Sequence, residues 1–125
     1  MTSSRPAALI VEGQPFIGMV ASDILRETGF QTFHAYNADD AAAMLEDHPE
    51  IELVVTDAEL QGDVTGVELC RRLSQERPSL QLVVTAAGRQ PEPSEVPLGA
   101  FVLRKPYASG ELRTLVAAKA LLESA

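Results

Sequence analysis

The chain has 125 residues, of which 46% are hydrophobic, so it fits one globular domain with a real core and leaves no room for a second. Eighteen acidic side chains against ten basic ones give a net charge of −8 with no basic run, which argues against nucleic acid or an anionic membrane as a partner. Because the N-terminus lacks the apolar core of a signal peptide and no stretch approaches the ~20 apolar residues of a membrane span, we expect a cytoplasmic protein.

Short Val/Ile/Leu runs alternate with helical patterns along the chain. Residues 1–6 are expected to form a flexible tail, and residues 7–125 the domain. The runs predict five strands, in chain order Ala7–Val11, Gln31–Tyr36, Ile51–Thr56, Leu80–Thr85 and Ala100–Arg104. Apolar residues at helical spacing predict four helices, over about 15–28, 38–47, 67–76 and from 109 onward.

The segment between the last two predicted strands has a weaker pattern. Pro91, Pro93 and Pro97 each remove a helix donor and disfavour helical angles in the preceding residue, so at most one helical turn is expected there. The β-then-α order predicts an α/β fold, a doubly wound five-stranded parallel sheet in a three-layer sandwich with a reduced fourth helix.

Four of the predicted strands end in residues able to do chemistry. Glu12 follows the first strand, Asp57 the third, Thr85 ends the fourth and Lys105 follows the fifth. The carboxyl ends of parallel strands converge on one edge, where ligands bind. Two carboxylates can hold a divalent cation, while a hydroxyl and an ammonium can hold phosphate oxygens. The pattern therefore predicts a site for a phosphoryl group on Asp57.

These residues resemble those of the receiver domains of bacterial two-component response regulators. The quoted markers are Glu12, Asp57, the pair Thr85-Ala86 and the pair Lys105-Pro106, in that order over nearly the whole chain. The resemblance implies a flavodoxin-like fold with strand order 2-1-3-4-5. It further implies that Asp57 accepts phosphate from a histidine kinase or phosphotransferase, that Thr85 and Lys105 bind the phosphate oxygens, and that signalling proceeds through a downstream protein.

The chain departs from that pattern at the metal site. The family has two adjacent acids after the first strand, and here the pair is Glu12-Gly13. Mg²⁺ can be held by one or two carboxylates with water and phosphate oxygens, so Glu12 and Asp57, with Glu59 as a weaker candidate, are the expected ligands. Mg²⁺ is therefore expected to bind more weakly here than in receiver domains that have both adjacent acids after the first strand.

Two further features concern partners. Val102 stands where many receivers have a Tyr or Phe that moves on phosphorylation, which suggests an altered output face. Exposed apolar and aromatic side chains anchor interfaces, so Phe16 and Ile17 at the start of the first helix, with Pro106 and Tyr107 after the last strand, are the expected partner surface.

Three functions remain open at this point. The first is a phosphoacceptor receiver, either stand-alone or part of a longer protein. The second is a pseudo-receiver that binds its partner without phosphorylation, which Gly13 and Val102 favour and Asp57, Thr85 and Lys105 oppose. The third is a small phosphatase with Asp57 as the nucleophile and Glu59 as the acid.

Overall fold

The structure, a computed structural model, describes residues 5–105 and 110–116. Within these ranges the chain forms five strands and four helices. They are β1 (Ala7–Val11), α1 (Pro15–Glu27), β2 (Gln31–Ala35), α2 (Ala38–Asp47), β3 (Ile51–Asp57), α3 (Gly66–Glu76), β4 (Gln81–Ala86), β5 (Phe101–Arg104) and α4, described over residues 110–116.

All strand pairs are parallel, and the sheet order is β2-β1-β3-β4-β5. This is the doubly wound parallel sheet that the sequence pattern predicted, in the flavodoxin-like order that the resemblance implied. The predicted strand bounds shift by a residue or two: β3 extends through Asp57, and β4 runs from Gln81 to Ala86.

The core divides into two apolar clusters, one on each face of the sheet, because successive strand residues point to opposite faces. Leu9 and Val11 belong to the cluster that α2 and α3 cover, whereas Ile10 belongs to the cluster that α1 and α4 cover. Cys70 lies fully buried in the first cluster, and burial raises the pKa of its thiol to about 12. The thiol therefore stays protonated and serves as a small core side chain.

The segment from residue 87 to residue 100 contains turns but no helix, which confirms the prediction made from its prolines. Polar contacts hold it instead. Arg89 donates two hydrogen bonds to the carboxylate of Glu95, and Arg71 of α3 donates from Nε to the main-chain oxygen of Glu95 at 2.7 Å. The side-chain amide of Gln90 donates from Nε2 to the Ala86 carbonyl oxygen at 2.9 Å, and this hydrogen bond connects the segment to the end of β4.

Several predictions fall on residues that the structure does not describe. The proposed partner residues Pro106 and Tyr107 and most of the N-terminal tail lie outside the described residues. Among the residues that are described, no helix combines the length and the apolar character needed to cross a membrane.

Candidate functional site

The site lies at the carboxyl edge of the sheet, where the ends of β1, β3 and β5 meet. The ammonium of Lys105 lies 2.5 Å from Oε1 of Glu12 and 3.3 Å from Oδ2 of Asp57. All three side chains are largely buried. Three residues that are far apart in sequence thus form one compact acid–lysine–acid group, as the sequence predicted from the strand ends.

Glu12 is the most enclosed member of the group. It is only 3% exposed, and both of its carboxylate oxygens are engaged. Oε1 accepts from Lys105, while Oε2 accepts from the Gln14 amide at 3.1 Å. A buried carboxylate needs such partners, because an unpaired charge away from water is costly.

Asp57 ends β3 and is the more accessible of the two acids. Its Oδ1 accepts from the Glu59 amide at 3.1 Å, and its Oδ2 faces Lys105. Each carboxylate oxygen keeps a second lone pair. Asp57 is therefore held in place by two donors but retains the capacity of a nucleophile.

Gly66, the first residue of α3, packs directly against the main chain of Asp57. A Cβ at this position would lie 1.7 Å from the Asp57 carbonyl oxygen and 3.0 Å from the Ala58 Cα. The Gly66 amide also donates to the Ala58 carbonyl at 3.0 Å. Only a residue without a side chain can approach so closely, so Gly66 fixes the main chain that carries Asp57.

Thr85 pairs with Asp57 in the register of β3 and β4. It is buried, and its hydroxyl points to the Thr56 carbonyl oxygen at 3.5 Å, which is longer than an ordinary O–H···O hydrogen bond. The sheet thus brings Thr85 beside the acid pair, but its hydroxyl bonds to main chain.

Glu59 is placed differently from the other predicted ligands. Its side chain is exposed and lines a cleft of about 280 Å³ between the start of α3 and the segment 87–100, together with Arg71 and Arg89. Across residues 5–105 and 110–116, no group of three or more His, Cys, Asp or Glu side chains is arranged to hold a metal ion. The acids that come together are the pair Glu12 and Asp57.

Gly13 leaves space beside this pair. It is exposed, and a Cβ built there would meet only the Tyr36 carbonyl oxygen, at an ordinary contact distance of 3.7 Å. Mg²⁺ keeps several waters and accepts one or two carboxylates. The donor set of Glu12, Asp57 and water therefore fits Mg²⁺.

The helix that starts beside the site presents an apolar surface. Phe16 is 73% exposed, and Met19 and Val20 are also exposed, whereas Ile17 is partly buried. Of the predicted partner residues within the described chain, Phe16 is thus the more prominent. Met19 and Val20, which were not among the predicted partner residues, extend its surface along α1.

Two residues near the site escaped the sequence analysis. Gly66 directly precedes the helix predicted from about residue 67, and its role depends on the approach of α3 to β3. His34 lies within the predicted second strand, and its Nε2 lies 2.9 Å from the Glu12 carbonyl oxygen. No local motif marks either contact, because each joins residues from different elements.

Comparison with known proteins identifies one family that matches most of the chain. The model of one family, described as the response regulator receiver domain, matches residues 8–117. No curated protein matches the chain.

Solved structures of receiver domains are similar over nearly the whole chain. A receiver protein from Sinorhizobium medicae WSM419 is 20% identical with a TM-score of 0.81, covering 92% of this chain and 94% of that one. A CheY-like receiver domain protein from Methanospirillum hungatei JF-1 is 25% identical with a TM-score of 0.82, covering 93% and 94%. The receiver domain of NtrX from Brucella abortus is 26% identical with a TM-score of 0.77, covering 94% and 99%.

Proposed function

The chain belongs to the family of response regulator receiver domains of two-component signalling, and we propose that its Asp57 accepts a phosphoryl group from a histidine kinase or a histidine phosphotransferase. The observation that carries this proposal is the contact of Lys105 with both Asp57 and Glu12 at the edge of the sheet. A nucleophilic carboxylate and a fixed cation lie together where a phosphoryl group needs both.

In the proposed step, an Oδ of Asp57 attacks the phosphorus of a phosphohistidine. The new P–O bond forms as the P–N bond breaks, and the leaving imidazole keeps the electron pair and takes up a proton. The product is an acyl phosphate on Asp57. Catalysis of phosphoryl transfer consists mainly of positioning and of charge stabilisation, so the residues around Asp57 supply most of the effect.

Lys105 and Thr85 would receive the transferred group. The ammonium of Lys105 is a point charge already within 3.3 Å of the nucleophile, so it offsets negative charge on the phosphoryl oxygens. The long hydrogen bond of Thr85 to main chain is a weak one, and its hydroxyl would exchange that partner for a phosphoryl oxygen.

Glu12 and Asp57 would also hold Mg²⁺, which neutralises charge on the transferring group when it is bound. The missing acid at Gly13 removes one oxygen ligand, so we propose that the affinity for Mg²⁺ is lower than in a site with three acids.

The proposed output is protein contact, first with the phosphodonor and then with a downstream protein. The exposed apolar surface of α1, around Phe16, supports a docking role beside Asp57. We propose that the domain acts in the cytoplasm, where a reduced cysteine such as Cys70 is usual.

A pseudo-receiver is the second candidate, and Gly13 is the observation that favours it. Without that acid, Glu12 and Asp57 can remain bound to Lys105, and a partner could then recognise the unphosphorylated domain alone. The phosphatase hypothesis loses its support, because the family is not one of enzymes in the usual sense.

Intact-mass measurement after incubation with acetyl phosphate and Mg²⁺ tests the proposal. We expect the mass of one phosphoryl group to be added to the wild type and none to Asp57→Asn, which is nearly isosteric but a far weaker nucleophile. Asp63→Asn, a change in an exposed loop, serves as the matched control and should label normally.

Labelling that persists in Asp57→Asn would reject this acceptor. A wild type that never labels, from acetyl phosphate or from a histidine donor, would favour the pseudo-receiver. Multiple turnover of a small phosphate ester would revive the phosphatase hypothesis.

A further inference from the structure

His34, in β2, reaches across to the main chain of the acidic strand end. Its Nε2 lies 2.9 Å from the carbonyl oxygen of Glu12. A carbonyl oxygen can only accept, so Nε2 carries the hydrogen and donates it. The histidine thus binds the residue that in turn binds Lys105.

The imidazole is held in this position from other sides as well. Its ring stacks on that of Tyr36, with the centroids 4.3 Å apart. A Cβ on Gly18 of α1 would lie 2.1 Å from Cε1 and 2.4 Å from Nε2 of His34, much closer than atoms can pack. The absence of a side chain at Gly18 therefore makes room for the donating edge of His34.

All four polar groups of Glu12 are occupied as a result. Its amide donates to the Ala35 carbonyl at 2.9 Å, and its carbonyl accepts from His34. Its carboxylate accepts from Gln14 and from Lys105. Two contacts come from β2 and fix the main chain of Glu12, and the other two fix its side chain.

We propose that His34 is a positioning residue of the phosphoacceptor site. By fixing the carbonyl of Glu12 it fixes the direction in which that carboxylate meets Lys105, and Lys105 in turn contacts Asp57. A small displacement of the Glu12 carboxylate or of Lys105 should lower the rate of phosphoryl transfer, because that rate depends on the positions of the reacting groups. The inference deepens the proposed function and rests on it.

The chain offers a matched control for this histidine. His48 also stacks on an aromatic ring, that of Phe33, with the centroids 4.2 Å apart. It follows α2, and its Nδ1 contacts the exposed Glu50. The general effect of replacing a stacked, partly exposed histidine by phenylalanine can therefore be separated from the loss of the bond to Glu12.

The test compares His34→Phe, His34→Gln and His48→Phe. Phenylalanine keeps a ring beside Tyr36 but has no donor, whereas the amide nitrogen of glutamine can replace Nε2. Two quantities are measured: the rate of labelling by acetyl phosphate, and hydrogen exchange of the Gln14 amide, which reports directly on the Glu12 carboxylate.

We expect His34→Phe to label about tenfold more slowly, as for the loss of one hydrogen bond from the reactive arrangement. The Gln14 amide should exchange faster, while amides in β3 keep their protection. His34→Gln should restore both quantities toward the wild type, and His48→Phe should change neither.

Gly18→Ala tests the same inference from the opposite side. The new methyl group must displace the imidazole, so this variant should show the slow labelling and fast Gln14 exchange of His34→Phe, although alanine is the better helix former. In a His34→Ala background the same substitution should add no further loss, since the two residues act as one unit.

Wild-type rates and wild-type Gln14 exchange in His34→Phe would overturn the inference, as would equal losses in the Phe and Gln variants. A wild type that does not label at all would instead reject the proposed function. In that case Gln14 exchange alone decides whether His34 positions Glu12.

Discussion

At the scale of single residues, the site depends on places where a side chain is absent. Gly66 lets α3 approach the main chain of Asp57, and Gly18 lets His34 approach that of Glu12. Neither glycine has a positive φ, so each is required for space and not for backbone freedom. The main chain of Asp57 is thus held by the close approach of α3, whereas that of Glu12 is held by a histidine that occupies the space left at Gly18.

Gly66→Ala should destabilise the protein. A Cβ 1.7 Å from the Asp57 carbonyl oxygen forces α3 away from β3, and overpacking of this kind costs about 1–3 kcal/mol of unfolding free energy. Urea unfolding followed by circular dichroism measures the loss. Gly88→Ala is the control, because a Cβ there meets no atom within 4 Å; equal stability of both variants would contradict the packing argument.

Gly13→Asp should strengthen Mg²⁺ binding, because the added carboxylate supplies a hard oxygen ligand beside Glu12 and the open side of Gly13 accommodates it. We expect roughly a tenfold lower dissociation constant in calorimetric titration, equal to about 1.4 kcal/mol. Gly13→Asn, of the same shape but uncharged, should gain less. Equal affinity of the wild type and Gly13→Asp would mean that the existing oxygens already complete the site.

At the scale of elements, the segment 87–100 replaces a helix with a set of polar contacts. The pair Arg89 and Glu95 closes the segment on itself, and Arg71 attaches it to α3. The hydrogen bond from Arg89 is the main cause that lowers the pKa of Glu95, followed by that from the Glu92 amide. The ionised Glu95 carboxylate therefore stabilises the folded segment at pH values above its ordinary pKa of 4.5. This stabilisation is lost as the pH falls through the lowered pKa.

Glu95→Gln should loosen this segment while leaving the sheet intact. The amide cannot receive two charge-assisted hydrogen bonds from Arg89, so amides within residues 87–100 should exchange faster at neutral pH. Glu92→Gln, three residues away and exposed, is the matched control. Unchanged exchange in Glu95→Gln would mean that Gln90 and Arg71 suffice to hold the segment.

The sequence predicted elements better than contacts between them. Strand ends and the missing helix were predictable because apolar runs and prolines act locally, and the meeting of Glu12, Asp57 and Lys105 followed from the parallel order alone. The hydrogen bond from His34 to Glu12 and the approach of Gly66 to Asp57 were not predictable. Each contact depends on how closely two elements pack in the folded domain, and this distance cannot be derived from residue types and their spacing along the chain.

At the scale of the whole molecule, exposed apolar side chains occur in two separate regions of the described chain. Beside the site, α1 presents Phe16, Met19 and Val20 to solvent. At the far edge, Leu98 and Val102 are exposed around the segment that lacks a helix. The chain has a net charge of −8, so an apolar contact surface is more distinctive than an acidic one.

Phe16→Ala should slow phosphotransfer from the cognate histidine donor, by about tenfold or more if this ring is a central anchor of the interface. Labelling by acetyl phosphate, which needs no docking, should stay nearly unchanged, because the Phe16 ring is 73% exposed and its hydrocarbon side chain supplies no charge or hydrogen bond to the site. Leu98→Ala, a fully exposed apolar residue at the far edge, is the control and should affect neither reaction. Because only the histidine donor needs docking, equal slowing of both reactions by Phe16→Ala would mean that the ring supports the site itself.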